Sequence, residues 1–450
     1  MNDPRAIIDD SPMRLLQYLI ILITCLLNAV DGFDVLAISV SGPGIMGEFG
    51  IDRAELGFVL AMELVGMSIG SVLLGRVADR LGRRSMILGC LLVMASGMYL
   101  TTFTTDVLTL CLWRVYTGLG IGGMLSVTNA AAAEFSNKHH RGLCISMVVI
   151  GYPLGGIVCG EVGKALLQPG AVNWRDMFLW GASLTALLIP LVYFLVPESV
   201  HWLARTQPVN ALARTNATLR KLGHATVDEL PAIQDQSKVA LAAIFAPVIV
   251  LSTLLVTAAY FFHMIAFYYV LKWTPTIVVE LGIEASAASG VLTWANVGGA
   301  LGGVVFGLLT TRIGLKPLTI AIMVLTMVGV ATFGRSQPDV MQLSYLAAFA
   351  GFFGNAGISG LYTIIAYVFP THLRATGTGF VIGVGRGGAI LSPIIAGQIL
   401  QSGASLGTVG LVMGGFSLLG AVAILLLKPS EDGPRMVERR RRESDLRASA

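Results

Sequence analysis

Two ten-residue stretches decide how this chain folds: GRVADRLGRR at 75–84 and GLLTTRIGLK at 307–316. Each follows the second long apolar run in its half of the chain, and each is more polar than the runs around it. The aligned positions are Arg80 with Arg312 and Gly82 with Gly314. A repeat of this kind predicts two related halves with a functional site between them.

The composition argues against a soluble globular protein. Of the 450 residues, 55% are hydrophobic and only 12% are charged, whereas a soluble domain carries about 25% charged residues. In water, so much apolar surface would aggregate. A bilayer removes the problem, since one helical span needs about 20 mostly apolar residues. The 53 glycines suit helices that pack closely in lipid.

Twelve apolar runs are long and continuous, which predicts helices rather than the alternating strands of a membrane barrel. They fall at 14–42, 54–76, 85–104, 106–134, 143–166, 176–196, 246–279, 287–310, 317–334, 340–369, 376–401 and 404–427. We therefore expect an all-α polytopic membrane protein with two pseudo-symmetric halves of six helices. The expected regions are a tail at 1–13, a first bundle at 14–196, a central loop at 197–245, a second bundle at 246–428 and a basic tail at 429–450.

The positions of Lys and Arg predict the orientation. Most of them fall on the side of the two termini, and few fall on the other side. Those few are Arg53, Lys164, Arg175 and Arg335. The positive-inside rule then places both termini in the cytoplasm. The basic segment 438–442 would face anionic lipid head groups, or it is simply a solvated tail.

Several site types are not expected. The five cysteines lie in apolar runs, and no pair has metal-ligand spacing, so we predict neither disulfides nor a metal site. Two segments, 118–123 and 383–388, match G-x-G-x-x-G. Neither follows a strand, as a dinucleotide site requires, so we interpret both as close helix packing. We expect no cofactor, no enzyme activity and no nucleic-acid partner.

Five segments together resemble the major facilitator superfamily. The 75–84 loop resembles its signature between spans two and three, and RVYTGLG at 114–120 resembles its second signature. The remaining segments are PESVHWL at 197–203, the pair Glu134 and Arg141, and 369–377 with Arg374. The resemblance implies that near-surface charges pair between helices and lock one conformation, although plain topological charge remains the alternative. The implied gating residues are Gly75, Asp79, Arg80, Gly82, Arg83, Arg84, Glu134, Arg141, Arg312 and Arg374.

Three further segments resemble the aromatic acid:proton symporters of that superfamily. They are DGFD at 31–34, YVLKWTP at 269–275 and GVGRG at 383–387. The resemblance implies a bacterial inner-membrane protein that carries benzoate-like, hydroxybenzoate-like or methoxylated aromatic acids. The sequence departs from the family pattern at Thr311, where an acid is usual, at Asn296, where Gln is expected, and at Lys272.

Charges inside a span are costly, about 2.5–3.5 kcal/mol at the bilayer centre, and therefore indicate function. Asp31 and Asp34 are three residues apart and share a helix face. Two carboxylates this close cannot both be ionised at low cost, so one is expected to hold a proton. Glu63, near mid-depth in span two, is a second candidate for proton coupling. The structural alternatives are an Asp31–Arg114 pair and a Glu63 paired with a neighbouring helix.

Arg386, in span eleven, is the first candidate to bind a substrate carboxylate, because a guanidinium stays charged and binds carboxylates in a bidentate fork. Its alternative role is to pair with Asp31, Asp34 or Glu63. Arg114 in span four is expected to tune a neighbouring carboxylate more than to bind substrate.

An aromatic substrate also needs stacking surface. We expect Tyr268, Tyr269 and Trp294 to provide it, although Trp and Tyr also favour membrane interfaces. His263 could bond a ring hydroxyl, or it could be a satisfied core histidine. Asn296 is included as a substrate-binding candidate. Lys272 is expected to snorkel to the outer interface, or to bind a second carboxylate if it faces the cavity.

The sequence thus predicts a monomeric, proton-coupled symporter that imports an aromatic carboxylic acid by alternating access. A sugar or non-aromatic acid symporter, or a drug:proton antiporter, is the alternative within the superfamily. Outside it, the alternatives are a membrane-embedded enzyme, a passive channel or a nutrient sensor. Two candidate carboxylate sites leave one or two protons per cycle open.

Overall fold

The computed structural model describes residues 3–168, 173–232, 241–370 and 373–427. These residues form fifteen α-helices and one short 3-10 helix, and no strand is present among them. Twelve helices are long and apolar enough to cross a membrane, which confirms the predicted fold class. They are α2 (Leu15–Phe49), α3 (Arg53–Leu81), α4 (Arg83–Thr101), α5 (Val107–Phe135), α6 (Arg141–Leu166), α7 (Arg175–Leu195), α10 (Val250–Glu280), α11 (Ala285–Leu309), α12 (Leu315–Phe333), α13 (Val340–Val368), α14 (Arg374–Gln401) and α15 (Leu406–Leu426). The short helices are α1 (Pro4–Asp10), α8 (Val200–Thr206) and α9 (Ala211–Leu222), and the 3-10 helix is Leu241–Phe245.

Local sequence explains where several helices begin and end. Asp52 caps α3 by accepting a hydrogen bond from the Glu55 backbone N–H at 2.8 Å, and Glu55 bonds back to the Asp52 N–H. Helix α2 continues past the predicted end at residue 42 and stops only at Gly50, which adopts the left-handed conformation. At 35 residues, α2 is about 52 Å long and exceeds the bilayer core.

The two halves repeat the same close helix contact. In the first half, Gly118 of α5 lies against the backbone carbonyl of Glu63 on α3. In the second half, Gly351 of α13 lies against the carbonyl of Ala295 on α11. Only glycine allows two backbones to approach this closely. The glycine-rich segment that includes Gly118 therefore packs helices together, as the sequence analysis predicts, and lies within a spanning helix.

The halves meet on one side of the bundle. We call the end where α2 begins and α15 ends the near side, and the opposite end the distal side. The facing helix pairs are α6 with α11, α3 with α14, and α2 with α10. Among the described residues, every side-chain hydrogen bond between the halves lies between mid-depth and the distal end. The distal side is therefore closed.

The short helices of the central region pack on the first half only. The Trp202 indole N–H of α8 donates to the Asp79 carbonyl at 2.9 Å, and the His224 ring lies 3.0 Å from the Gln17 amide oxygen. The 3-10 helix instead packs on the second half, where Phe245 meets Phe380 edge to face. Described residues 200–232 thus belong structurally with the first six spans.

Candidate functional site

Two buried carboxylates lie in the middle of α2 without hydrogen-bond partners. Asp31 and Asp34 are completely buried, and none of their four carboxylate oxygens has a partner among the described residues. Between them, Gly32 lies against the backbone carbonyl of Tyr152 on α6, so the two helices are in close contact. Buried polar groups are almost always satisfied, and exceptions need an explanation.

Glu63 lies between two cations from different helices. Its Oε1 is 3.5 Å from Nη1 of Arg114 on α5, and its Oε2 is 3.5 Å from Nζ of Lys272 on α10. All three side chains are completely buried. This arrangement matches the structural alternative for Glu63, a carboxylate paired with neighbouring helices, and places that pair at the boundary between the halves.

Arg114 is held firmly within the first half. Its Nη2 donates to the Thr101 hydroxyl at 2.9 Å and to the Thr117 hydroxyl at 3.1 Å. Its guanidinium lies 4.6 Å from the Phe178 ring centre, a cation–π contact. The Asp34 carboxylate lies within range of the positive charge of Arg114. The position fits a residue that tunes neighbouring carboxylates.

Lys272 does not snorkel to the interface, and that prediction is wrong. The side chain is completely buried, and Nζ donates to the Val35 backbone carbonyl as well as approaching Glu63. Lys272 lies eight residues before the end of α10 at Glu280, about 12 Å from the helix end. At that depth, a carboxylate and a carbonyl of the first half solvate the ammonium in place of water.

Arg386 reaches from α14 into the first half. The side chain is partly buried, and its Nη1 donates to the Met67 carbonyl of α3 at 3.3 Å. The Asp31 carboxylate and the hydroxyls of Tyr260 and Tyr268 lie within range of the positive charge of Arg386. Both expected roles of Arg386 therefore remain available in one place: a partner for Asp31 and a cation for a carboxylate ligand.

Several buried tyrosines lie in this region. Tyr268 is buried within range of the Arg386 charge, and the hydroxyls of Tyr152 on α6 and of Tyr269 are buried without a hydrogen-bond partner among the described residues. The Tyr260 and Tyr362 hydroxyls lie 3.2 Å apart, with ring centres at 5.7 Å. Tyr152 and Tyr362 are not among the residues predicted from the sequence. Tyr152 lies in a glycine-rich part of span five that could have drawn attention to it, but nothing local marks Tyr362.

Two aromatic candidates lie away from the cluster. His263 bonds the Ser417 hydroxyl and the Gly354 carbonyl, both at 2.9 Å, so both ring nitrogens are engaged within the second half. It is a satisfied core histidine. Trp294 is 49% exposed and shares a helix face with the exposed Leu301 and Leu308. An apolar stripe of this kind faces lipid rather than the cluster.

Asn296 lies at the contact between the halves. Its side chain is buried, its Nδ2 donates to the Leu292 carbonyl at 2.9 Å, and its amide lies against Gly156 of α6. Asn296 therefore packs α11 against α6 on the closed side. The described part of the chain contains no group of three or more His, Cys, Asp or Glu residues that could hold a metal.

The near side carries an ion-pair network. Arg83 bonds Glu134 of α5 at 3.0 Å and Asp79 at 3.2 Å, and Asp79 also bonds Arg205 of α8 at 2.9 Å. Arg84 donates to the Tyr193 carbonyl at 2.5 Å. These contacts link α3, α4, α5, α7 and α8 within the first half. The expected pairing between helices is present, but all of it lies within one half.

Arg141 is not part of that network. It pairs with Asp9 of α1 and donates to the Ala133 carbonyl at 3.0 Å. Three other gating candidates, Arg80, Arg312 and Arg374, are exposed. None of these three forms a salt bridge with another described residue. Gly75 faces Ser126 of α5 at ordinary van der Waals distance.

Gly82 lies in close contact with Glu198 on the near side. Gly82 has φ of +94°, and a Cβ there would collide with the Glu198 carboxylate. That carboxylate accepts backbone N–H bonds from Arg83 at 2.7 Å and Ser199 at 3.0 Å. Burial raises the pKa of Glu198 above the ordinary glutamate value, despite these hydrogen bonds. Glu198 therefore caps the N-terminus of α4.

Comparisons with known proteins agree with this architecture. The chain is 29% identical over 435 residues to a gallate transporter of Pseudomonas putida, with 94% of each chain covered. It is 28% identical over 417 residues to a 3-(3-hydroxy-phenyl)propionate transporter of Escherichia coli strain K12, with 91% of this chain and 94% of the relative covered. A 4-hydroxybenzoate transporter of Pseudomonas putida is 27% identical over 432 residues, with 92% and 96% covered.

The fold is also found among solved structures. A D-xylose–proton symporter superposes with a TM-score of 0.73 at 19% identity, covering 92% of this chain and 98% of that one. This likeness concerns the fold alone. The sequence matches the Major Facilitator Superfamily over residues 24–299 and 256–449, which together span nearly the whole chain. This protein is therefore a multi-pass membrane transporter, not an enzyme, and it belongs to the major facilitator superfamily.

Proposed function

We propose that this chain is a proton-coupled symporter that imports an aromatic carboxylic acid of the benzoate or hydroxybenzoate type. The relatives named above carry gallate, hydroxyphenylpropionate and hydroxybenzoate and align over nearly their full length. The observation that carries the proposal is the buried charge cluster at the meeting of the halves. Its members are Asp31, Asp34, Glu63, Arg114, Lys272 and Arg386.

The charges of this cluster support proton coupling. If all six residues are ionised, three carboxylates cancel three cations, so the cluster is neutral. A substrate carboxylate would add one uncompensated negative charge in a medium where such a charge is costly. One proton on Asp31 or Asp34, whose oxygens lack partners, restores neutrality. A monoanion would then enter with at least one proton.

Arg386 and the tyrosines give the substrate two kinds of contact. The guanidinium offers a bidentate fork for the carboxylate, and it stands close to Asp31. A substrate carboxylate bound to Arg386 would offset the attraction of that cation for Asp31 and so favour protonation of Asp31. Tyr268 and Tyr260 lie within range of the Arg386 charge and would offer ring faces and hydroxyls to an aromatic acid. Glu63 remains between Arg114 and Lys272 as the second candidate for coupling.

The orientation completes the proposal. With both termini in the cytoplasm of a bacterial inner membrane, the near side faces the cytoplasm and the closed distal side faces out. The conformation described here is then the one that opens inward. The Asp79–Arg83–Glu134 network would rearrange when the near side closes. The protein would act as a monomer among membrane lipids. The basic segment 438–442 lies outside the described residues.

Uptake by purified protein in liposomes tests the proposal. An inward proton gradient is applied with labelled benzoate, hydroxybenzoates and gallate, and sugars are included in the same panel. Accumulation of an aromatic acid that collapses with a protonophore would support the proposal. Accumulation of a sugar alone, or accumulation driven only by the reversed, outward proton gradient as in an antiporter, would contradict it.

The same liposomes report the stoichiometry. A monoanion entering with one proton moves no net charge, so the membrane potential would have no effect on accumulation. A second proton would add about 2.3 kcal/mol per 100 mV. A potential imposed with valinomycin therefore separates one proton from two.

A further inference from the structure

One face of α10 contacts the first half on the closed distal side, and we call this contact the distal seam. Lys272, Thr276 and Glu280 are spaced by four residues, which places them on one helix face. Glu280 pairs with Arg53 at the distal end, with 2.6 Å between Oε1 and Nε. One turn deeper, the Thr276 hydroxyl lies against Gly42 of α2. One turn deeper still, Lys272 reaches Val35 and Glu63.

The two ion pairs of this face differ in environment. The side chains of Arg53 and Glu280 are 41% and 23% exposed, so water and salt weaken their attraction. Lys272 and Glu63 are both completely buried, and Lys272 would be strongly destabilised at this position if Glu63 were withdrawn. Closure of the distal side therefore depends far more on the buried pair than on the exposed one.

Alternating access requires the two halves to separate on the distal side. Glu63 and Arg114 belong to the same half and stay together during such a movement. Lys272 belongs to the other half, so it must leave both Glu63 and the Val35 carbonyl. When the distal side opens, Glu63 keeps one cation and loses the other.

We propose that Lys272 is the positioning residue that holds the distal side closed, through its ion pair with Glu63. Lys272 and Glu63 both belong to the buried charge cluster, and their ion pair also joins the two halves on the distal side. Removing the Lys272 charge shifts the resting protein toward the distal-open state. The proposal depends on alternating access but not on which substrate is carried.

Two cysteine reporters test this in the full-length protein. The five native cysteines are replaced, and a single cysteine is introduced as Ser289→Cys or as Asn129→Cys. Ser289 is completely buried on α11 against Gly163 of α6, on the closed side. Asn129 is exposed on the near-side part of α5. Reaction rates with a hydrophilic maleimide are measured without substrate.

Lys272→Met is expected to raise the labelling rate at position 289 by about fivefold or more, the lower range of allosteric coupling energies. Labelling at position 129 should fall in the same protein, because the near side closes as the distal side opens. Lys272→Arg keeps the charge and should stay near the wild-type rates. Arg53→Gln, which breaks only the exposed pair, should change either rate by less than about twofold.

The reciprocal readout separates gating from damage. A higher labelling rate at both positions would mean that the variant is loosely folded. Unchanged labelling rates at both positions would mean that Lys272 does not hold the distal side closed. Either outcome overturns the proposal. Equal effects of Lys272→Arg and Lys272→Met would also overturn it, because charge would not be the cause. If Lys272→Met elutes as an aggregate, Glu63→Gln carries the same expectation. Since no substrate is added, failed aromatic-acid uptake does not affect this test.

Discussion

Oε1 of Glu63 and Nη1 of Arg114 face each other at 3.5 Å inside the first half, and neither side chain has any exposed surface. The distance is that of an ion pair without hydrogen-bond geometry, since neither atom has a hydrogen-bond partner. Such a pair is costly to disrupt from one side only, because the remaining charge stays buried.

Arg114→Gln should therefore destabilise the protein. A buried charge left with no partner costs about 3–5 kcal/mol. Glu63 keeps Lys272 as a second partner, so we expect the free energy of unfolding to fall by less than this. The double variant Arg114→Gln/Glu63→Gln should lose less stability than the sum of the two single variants, because the two residues interact directly. Thermal unfolding in detergent measures both. A double variant less stable than the sum of the single variants would contradict this account.

Asp31→Asn and Asp34→Asn should separate binding from coupling. Either change removes a protonatable group while keeping its size, so uptake driven by a pH gradient should fall at least about tenfold, or 1.4 kcal/mol. Substrate exchange across the membrane at equal pH needs no net proton movement and should continue. Loss of exchange together with gradient-driven uptake would assign the residue to binding instead. Asp106→Asn, at the exposed start of α5, is the matched control.

Arg386→Lys should weaken substrate binding although it keeps the charge. An ammonium cannot provide the planar bidentate fork of a guanidinium. We expect KM for the aromatic acid to rise by about tenfold, equivalent to 1.4 kcal/mol, with a smaller change in the maximal rate. The control is Arg312→Lys, in the exposed loop between α11 and α12. An unchanged KM for Arg386→Lys would remove Arg386 from the binding site.

Gly82→Ala should be far more damaging than Gly89→Ala. At Gly82, alanine would have to adopt φ of +94° and displace the Glu198 carboxylate, at a cost of about 1–3 kcal/mol for the backbone alone. At Gly89, in the middle of α4, a Cβ meets open space, so alanine should stabilise the helix by about 0.5–1 kcal/mol. The melting temperatures of the two variants measure this difference. Equal effects of the two substitutions would contradict the close contact between Gly82 and Glu198.

Glu198→Gln should change how stability depends on pH. The folded protein binds a proton at Glu198 more readily than the unfolded chain, because burial raises the pKa of Glu198 above 4.5. Between 4.5 and the folded pKa, this residue makes stability fall as pH rises. Glutamine still accepts the backbone N–H bonds but does not titrate, so the variant should lose this slope. Thermal melts from pH 4 to pH 8 measure it, and an unchanged slope would contradict the assignment.

Long apolar runs made the twelve spans predictable, because length and hydropathy alone define a helix that crosses a bilayer. Charged residues within those runs were also visible in the sequence. Glu63 and Arg386 make contacts between the halves, with Lys272 and with the Met67 carbonyl, and Asp31 and Asp34 are buried within α2. Their pairing was not predictable, since it depends on which helices become neighbours.

Lys272 and Trp294, whose surroundings differ from those predicted, also show that neighbouring helices cannot be identified from one span alone. Lys272 resembles a snorkelling lysine if only its own helix is considered, and its partners Val35 and Glu63 come from two other helices. Trp294 and Tyr268 have similar side chains in adjacent spans, yet one faces outward and the other is buried. An almost uniformly apolar helix carries no periodic signal that separates its lipid face from its interior face.

The packing of α1, α8 and α9 on the first half has a practical consequence for imaging. A protein of 47.5 kDa that is mostly embedded in a detergent micelle offers few external features for particle alignment. An antibody fragment that binds the surface of α8 and α9 would add a rigid marker to one half without touching the other. Such a complex should remain active, and particles could be aligned on one half while the other is sorted into its different positions.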